Sequence, residues 1–318
     1  MILAIAGLLT AAIALPYLLD LERVRPGTAV SFWGSALALR AMTVVFGLAY
    51  LVFVLPRTEI FAALTHWCWH TIMPLITTHL DGHSLGHATV IGASFVVAMS
   101  AISVGFGLAR ATRAVRRLLA GASLGVGPNE SLIVGGSDVL LAAAGFARPQ
   151  IIVSAGALAV LDDEELAAGL DHERGHIARR HRFLLVLAEI CRGIARFLPG
   201  TRHSVEQLMF HVERDADHWA LSRRHDRLAL ASAICKAATP RGAASPVLST
   251  LGGSGVRRRL EQLLDGTAQR ADALTSPVVR IASVGMVAFT LAAAAAGSTA
   301  TVAVAQKVDS GHQLRHCD

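Results

Sequence analysis

The sequence predicts a mostly α-helical membrane protein, about four transmembrane helices carrying one cytoplasmic α+β domain. The 318 residues are 53% hydrophobic with a mean hydropathy of +0.51, too apolar for an ordinary soluble chain of this length. Four stretches are long enough to cross a bilayer: Ile2 to Leu19, Leu37 to Leu55, Ala88 to Ala109 and Ile281 to Ala305. Between the third and fourth, short apolar runs bounded by Gly, Pro, Ser and Asp give way to long segments of helical periodicity, an α+β order.

Only Arg40 charges a span, near one end, where an arginine can snorkel to the headgroups. No basic residue precedes the first span, so it reads as a retained helix with its N-terminus outside. Arg23 and Arg25 mark the next loop as cytoplasmic, as Arg110, Arg113, Arg116 and Arg117 do after the third span. The loop 57–85 has Arg57 as its only Lys or Arg and is external. The expected plan is therefore residues 1–109 with three spans, a cytoplasmic domain 110–279, a fourth span 280–305 and an external tail 306–318, in the plasma membrane. The net charge of +6 is positive-inside bias and attraction to the lipid bilayer; no aromatic-basic interleaving suggests direct nucleic-acid binding. Cys191 and Cys235 are expected as buried cytoplasmic thiols, while Cys68 and Cys317 face outside and are candidates for a disulfide.

Within the domain, 110–120 reads as a basic helix and 121–130 as a turn-rich link. Residues 132–134, 139–144 and 151–153 read as strands, and everything after Leu161 mainly as helix. Phe183 to Leu198 reads as a core helix ended by Pro199-Gly200, with an amphipathic helix on the inner leaflet as the alternative. Val256 to Leu264 reads as a helix with a solvated or lipid-facing arginine face.

The decisive pattern is His172-Glu173-Arg174-Gly175-His176 followed by Glu213-Arg214-Asp215-Ala216-Asp217. Four residues apart on a helix, His172 and His176 share a face and can reach one metal, with Glu173 leaning over the same site. Acidic residues 162–165 precede the motif and Arg179, Arg180 and Arg182 follow it, matching the two ends of a helix dipole. Gly175 in mid-helix implies that another backbone passes close to the metal-bearing face. His172, His176 and Glu213 supply three ligands for one Zn(2+) per chain, leaving a position for water that Glu173 deprotonates as catalytic base. Asp217, one turn beyond Glu213, is placed to accept the free N–H of a ligand histidine. His203, His211 and His218 read as ordinary histidines. His181 falls five residues after His176, outside the extended metzincin spacing, and is left out of the metal site.

Together with Gly145-Phe146-Ala147-Arg148-Pro149-Gln150-Ile151-Ile152-Val153-Ser154 and Leu161-Asp162-Asp163-Glu164-Glu165-Leu166, these motifs resemble the membrane zinc metallopeptidases of the BlaR/MecR antibiotic-sensor type, over roughly residues 130–264. Glu213-x-x-Ala216-Asp217 also looks like the third-ligand motif of the CAAX-prenyl and heat-shock membrane peptidases. The resemblance implies a zincin-like (gluzincin) peptidase domain, zinc on His172, His176 and Glu213, Glu173 catalytic, and a protein substrate whose cleavage leads to loss of a transcriptional repressor. Two departures stand out: His181 replaces the aspartate common in the sensors, and the 13 residues of the tail are too few for an external penicillin-binding domain.

The external loop instead concentrates His66, Cys68, His70, His79, His83 and His87, a candidate site for an external copper or zinc ion, which His312, His316 and Cys317 could join. A cytoplasmic peptidase has two rivals. An intramembrane protease conflicts with the charges flanking the motif. A zinc-stabilised receptor without proteolysis shares every ligand and parts from the enzyme only at Glu173.

Overall fold

The computed structural model describes residues 21–53, 98–107, 123–145, 149–238, 255–265 and 277–286, with a few isolated positions besides. The elements are α1 (Pro26–Phe53), β1 (Ser123–Val126), β2 (Leu132–Val134), β3 (Leu141–Ala144), β4 (Gln150–Ser154), α2 (Ala155–Val160), α3 (Asp163–Ala178), α4 (His181–Ile194), α5 (Thr201–Ser222), α6 (Arg227–Ala238) and α7 (Val256–Leu264).

The sheet runs β1-β2-β4-β3. β2 and β4 are parallel, and β1 and β3 close the edges antiparallel. The turn-rich link therefore contains a strand: β1 was hidden because Gly125 sits at φ 150 and the register slips between Ser123 and Gly125. After β4 the Ser154 hydroxyl caps α2 by accepting from the Ala157 N–H at 3.0 Å and donates to the Asp138 carbonyl at 2.6 Å, pinning the β3 approach to the helix start. A Cβ on Gly156 would lie 2.3 Å from the Ser137 carbonyl oxygen, backbone that has nowhere to go. Gly156→Ala is expected to destabilise the fold by about 3 kcal/mol, read as a lowered melting temperature of the detergent-purified protein.

α3 starts where the acidic run dictates. The Asp162 side chain accepts from the Glu164 and Glu165 N–H groups, and Glu165 reaches back to the Asp162 N–H at 2.9 Å, a complete capping box. Glu165 is buried and also receives Ser232 and, at 2.6 Å, Lys236 from α6. Burial raises its carboxyl pKa, but the Lys236 and Ser232 hydrogen bonds outweigh that and leave it below the ordinary value. A depressed carboxyl contributes stability above its unfolded pKa and loses it as pH falls through the folded one. The stability gap between wild type and Lys236→Met is therefore expected to be full at neutral pH and to close below the ordinary glutamate pKa, as thermal melts over that range would show.

Two apolar cores flank the polar middle of α5. One joins Leu141, Val153, Leu166, Leu170 and α6 residues Leu230 and Ile234. The other joins Phe32, Trp33 and Leu37 of α1 to Ala188, Cys191, Leu208 and Val212. α1 thus begins at Pro26, not at Leu37, because its first half is wanted as a wall of this core. Arg40 consequently lies in mid-helix, 1% exposed, with Nη1 donating to the Ala36 carbonyl, and does not snorkel. Pro26–Val45 is the one helix among the described residues long and apolar enough to cross a membrane, and 56% of its apolar window is buried, as a core helix would be. Of the other expected spans, 2–19 lies outside the described residues apart from Ala14, while 88–109 and 281–305 are represented chiefly by the apolar helices Ala98–Gly107 and Pro277–Met286.

The expected core helix, α4, is only half core: Ala188 and Cys191 are buried, but Phe183, Leu187 and Ile190 are exposed. Cys235 is exposed, unlike the buried Cys191. The external positions His66, Cys68, His70, His79, His83, His87, His312, His316 and Cys317 all lie outside the described residues, as does most of the expected helix 110–120.

Candidate metal centre

The site is built where α3 and α5 cross. Gly175 allows the approach: a Cβ there would sit 3.0 Å from the Trp219 Cβ and 3.2 Å from the Ala216 Cα, so the mid-helix glycine admits the α5 backbone. On α3, His172 and Glu173 are buried, and His176 lies one turn on. α5 presents Glu213 and, a turn later, Asp217 to the same place.

The donor atoms converge. His172 Nε2 and His176 Nε2 are 3.2 Å apart, and the two Glu213 carboxylate oxygens stand 3.5 Å from the first and 3.6 Å from the second. A tetrahedral ion with bonds of 2.0–2.1 Å holds its donors roughly 3.3 Å apart, so His172, His176 and Glu213 fit one metal ion; they are the group the described residues bring within 4.8 Å of one another. Two imidazoles and one carboxylate leave one tetrahedral position for other chemistry.

Asp217 approaches the far side of His172, Oδ1 lying 2.9 Å from Nδ1 but off the line of the ring N–H, so the pair is close without an aligned hydrogen bond. Glu173 Oε2 accepts from the Ala143 N–H of β3 at 2.7 Å, while its Oε1 is buried with no hydrogen-bond partner among the described residues. That orphaned oxygen is costly unless a proton or water meets it.

Sequence reasoning missed three residues here. Arg259, assigned to a solvated face, is fully buried: Nε and Nη2 hold both Asp217 oxygens at 2.8 and 2.7 Å, and Nη1 donates to Glu213 Oε2 at 2.9 Å. The signal was present, since Arg259 lies on the helix face that carries Val256, Leu260 and Leu263. Its neighbour Arg257 is exposed, and Arg258 pairs with Glu22. His181 and Asp215 are the others: His181 Nδ1 is 3.0 Å from His176 Nδ1, and His181 Nε2 is 3.2 Å from Asp215 Oδ2. His203 packs edge-on against Trp33, His211 Nδ1 lies 3.0 Å from Arg214 Nη1, and His218 is exposed, all apart from the donors.

Charge follows geometry. Burial lifts Glu173 to about 7. Burial opposes ionisation of Glu213, but Arg259 and the two histidines overcome it and bring the carboxyl down to about 2; Arg259 and His172 lower Asp217 in the same way. Burial works against a charged His172 too, yet Asp217 and Glu213 raise it to about 9, whereas burial drives His176 down to about 3. A cation binding both imidazoles needs each of them neutral at the nitrogen that faces it, so metal binding here competes with protons.

The model of peptidase family M48 matches residues 108–213, about a third of the chain, from before the sheet through α3 to the carboxylate of Glu213. No curated protein matches the chain. The match and the His/His/Glu triad together support a metal-dependent peptidase, and the match does not single out the sensor type.

Proposed function

We propose that the chain is a membrane-anchored zinc endopeptidase that cleaves a cytoplasmic protein substrate. The observation that carries this is Glu173: a buried carboxylate beside three converging donors, one oxygen held by Ala143 and the other unpartnered. Zinc bound by His172, His176 and Glu213 would supply Lewis acidity to a carbonyl and to water. Glu173 then takes the proton on Oε1 and returns it to the departing amine, a double duty suited to a carboxyl lifted to about 7. Its other oxygen stays on the Ala143 N–H, which fixes the direction of transfer.

An extended substrate segment pairs with the outer edge of β3, the edge strand beside Glu173. β4 has neighbours on both sides and offers no edge. Pro26–Val45, a helix long and apolar enough to cross a membrane, supports anchoring; the multi-pass plasma-membrane plan with the peptidase inside rests on the hydropathy and basic-residue pattern of the sequence. Likeness to the sensor type supports a signalling role with a transcriptional repressor as substrate, and the crowding of His66, Cys68, His70, His79, His83 and His87 in one stretch supports an external metal-binding input; a loop peptide that bound no metal below millimolar concentration would remove that input.

Comparison of wild type with Glu173→Gln in membranes, by proteome-wide mapping of protein N-termini with zinc content measured for both, tests the reading. New cytoplasmic termini found only in wild type, at equal zinc, name the substrate. Identical termini at equal zinc favour the zinc-stabilised receptor.

A further inference from the structure

We propose that His181 and Asp215 hold the ligand histidine His176 in the tautomer that can bind a metal and tie it to the first turn of α1. The proposal rests on the metal-site reading above and adds two positioning residues to it.

The tautomers follow from the partners. Asp215 is an acceptor, so the His181 nitrogen facing it at 3.2 Å, Nε2, carries the hydrogen. A neutral imidazole then has a bare Nδ1, which lies 3.0 Å from His176 Nδ1 and can only accept. His176 must therefore carry its hydrogen on Nδ1, leaving the Nε2 lone pair aimed at His172 and Glu213. Without His181, a neutral His176 is free to protonate Nε2, the form that cannot ligate.

Both members are built in, not incidental. His181 is 2% and Asp215 3% exposed. The chain reaches this arrangement through Arg180, held in the left-handed region at φ 56, so that α4 starts at once and its first residue faces back to His176. Asp215 lies two residues beyond the ligand Glu213 on α5, so one helix supplies a ligand and the anchor of another.

Asp215 has neighbours besides His181, Arg179 Nε at 3.5 Å from Oδ2 among them. Its Oδ1 would lie 3.3 Å, and its carboxyl carbon 3.8 Å, from a Cβ on Gly27 in the first turn of α1. α1 contains the candidate membrane span, so its first turn, at Gly27, lies beside the carboxylate that anchors His181. His172 takes a different route, through Asp217 to Arg259.

Zinc affinity of the detergent-purified full chain, measured by competition with a chromophoric chelator, tests this, with circular dichroism and melting of the metal-free proteins as the folding check. His181→Leu is expected to weaken zinc binding by about 10–100-fold. His181→Asn, whose side-chain oxygen stands near the lost Nδ1, is expected to keep most of the affinity. Gly27→Ala is expected to weaken binding by a smaller factor and to add nothing to His181→Leu, because both act through one contact. A folded His181→Leu protein that binds zinc like wild type overturns the tautomer role, and strictly additive losses overturn the link to α1. Should the leucine variant not fold, wild-type affinity in Gly27→Ala overturns the proposal. A wild-type protein that takes up no stoichiometric zinc removes the metal-site reading itself, a result distinct from the others.

Discussion

Glu173→Gln keeps zinc at the wild-type level and lowers substrate cleavage by on the order of 10²–10⁴-fold, the usual worth of a positioned acid–base group. The split is expected because Glu173 is not one of the three converging donors, and its hydrogen bond among the described residues is to the Ala143 N–H. Glutamine can preserve that bond through its carbonyl oxygen. What it cannot do is take a proton at the second position, where Oε1 stands buried and unpartnered. A glutamine amide placed there donates where the carboxylate accepted. Cleavage of an identified substrate by the two purified proteins, with metal content determined in parallel, measures the effect. Equal rates would remove Glu173 from the chemistry.

Arg259→Met is expected to destabilise the metal-free protein by about 3–5 kcal/mol, the loss typical when one member of a buried charge group is removed. Arg259 is fully buried and touches both Glu213 and Asp217, whose carboxyls it holds well into the ionised range. Methionine fills much of the volume but strands the buried Asp217 and the partly buried Glu213 carboxylates near one another. A bound divalent cation supplies positive charge to the same cluster, so the loss is expected to be smaller with zinc than without. Melting temperatures with zinc and with chelator give the comparison. Arg259→Lys should recover little, since an ammonium cannot serve Asp217 bidentately and reach Glu213 as well.

Why was so much of the donor set readable in advance, and Arg259 not? His172, His176, Glu213 and Asp217 are related by helical spacing alone, and a period of 3.6 residues decides which side chains share a face before any tertiary contact forms. The capping box of α3 is equally local. Arg259 meets Asp217 across 42 residues of chain, and His181 reaches Asp215 across 34, so both depend on how helices pack. Arg259 did break a local rule, as a charge on an apolar face, and that mismatch was the available sign. The start of α1 was misplaced for a related reason: hydropathy ranks residues by their liking for lipid, and Pro26 to Ala36 is apolar enough to face protein instead. β1 has no periodic signature at four residues with a glycine bulge.

Residues 21–27 have a consequence for how the molecule can be divided. Arg214 donates to the Leu21 and Glu22 carbonyls, Arg258 and Gln262 hold the Glu22 carboxylate, and Asp215 crowds Gly27, across separations of 192 residues and more for the backbone bonds. Phe32, Trp33 and Leu37 then complete the core against α5. The peptidase is therefore closed by a segment made at the opposite end of synthesis. A fragment cut at 110–279 would bare Leu208 and Val212 and arrive without its clasp; adding 21–53 back, even as a separate peptide, is what would be needed to make it whole.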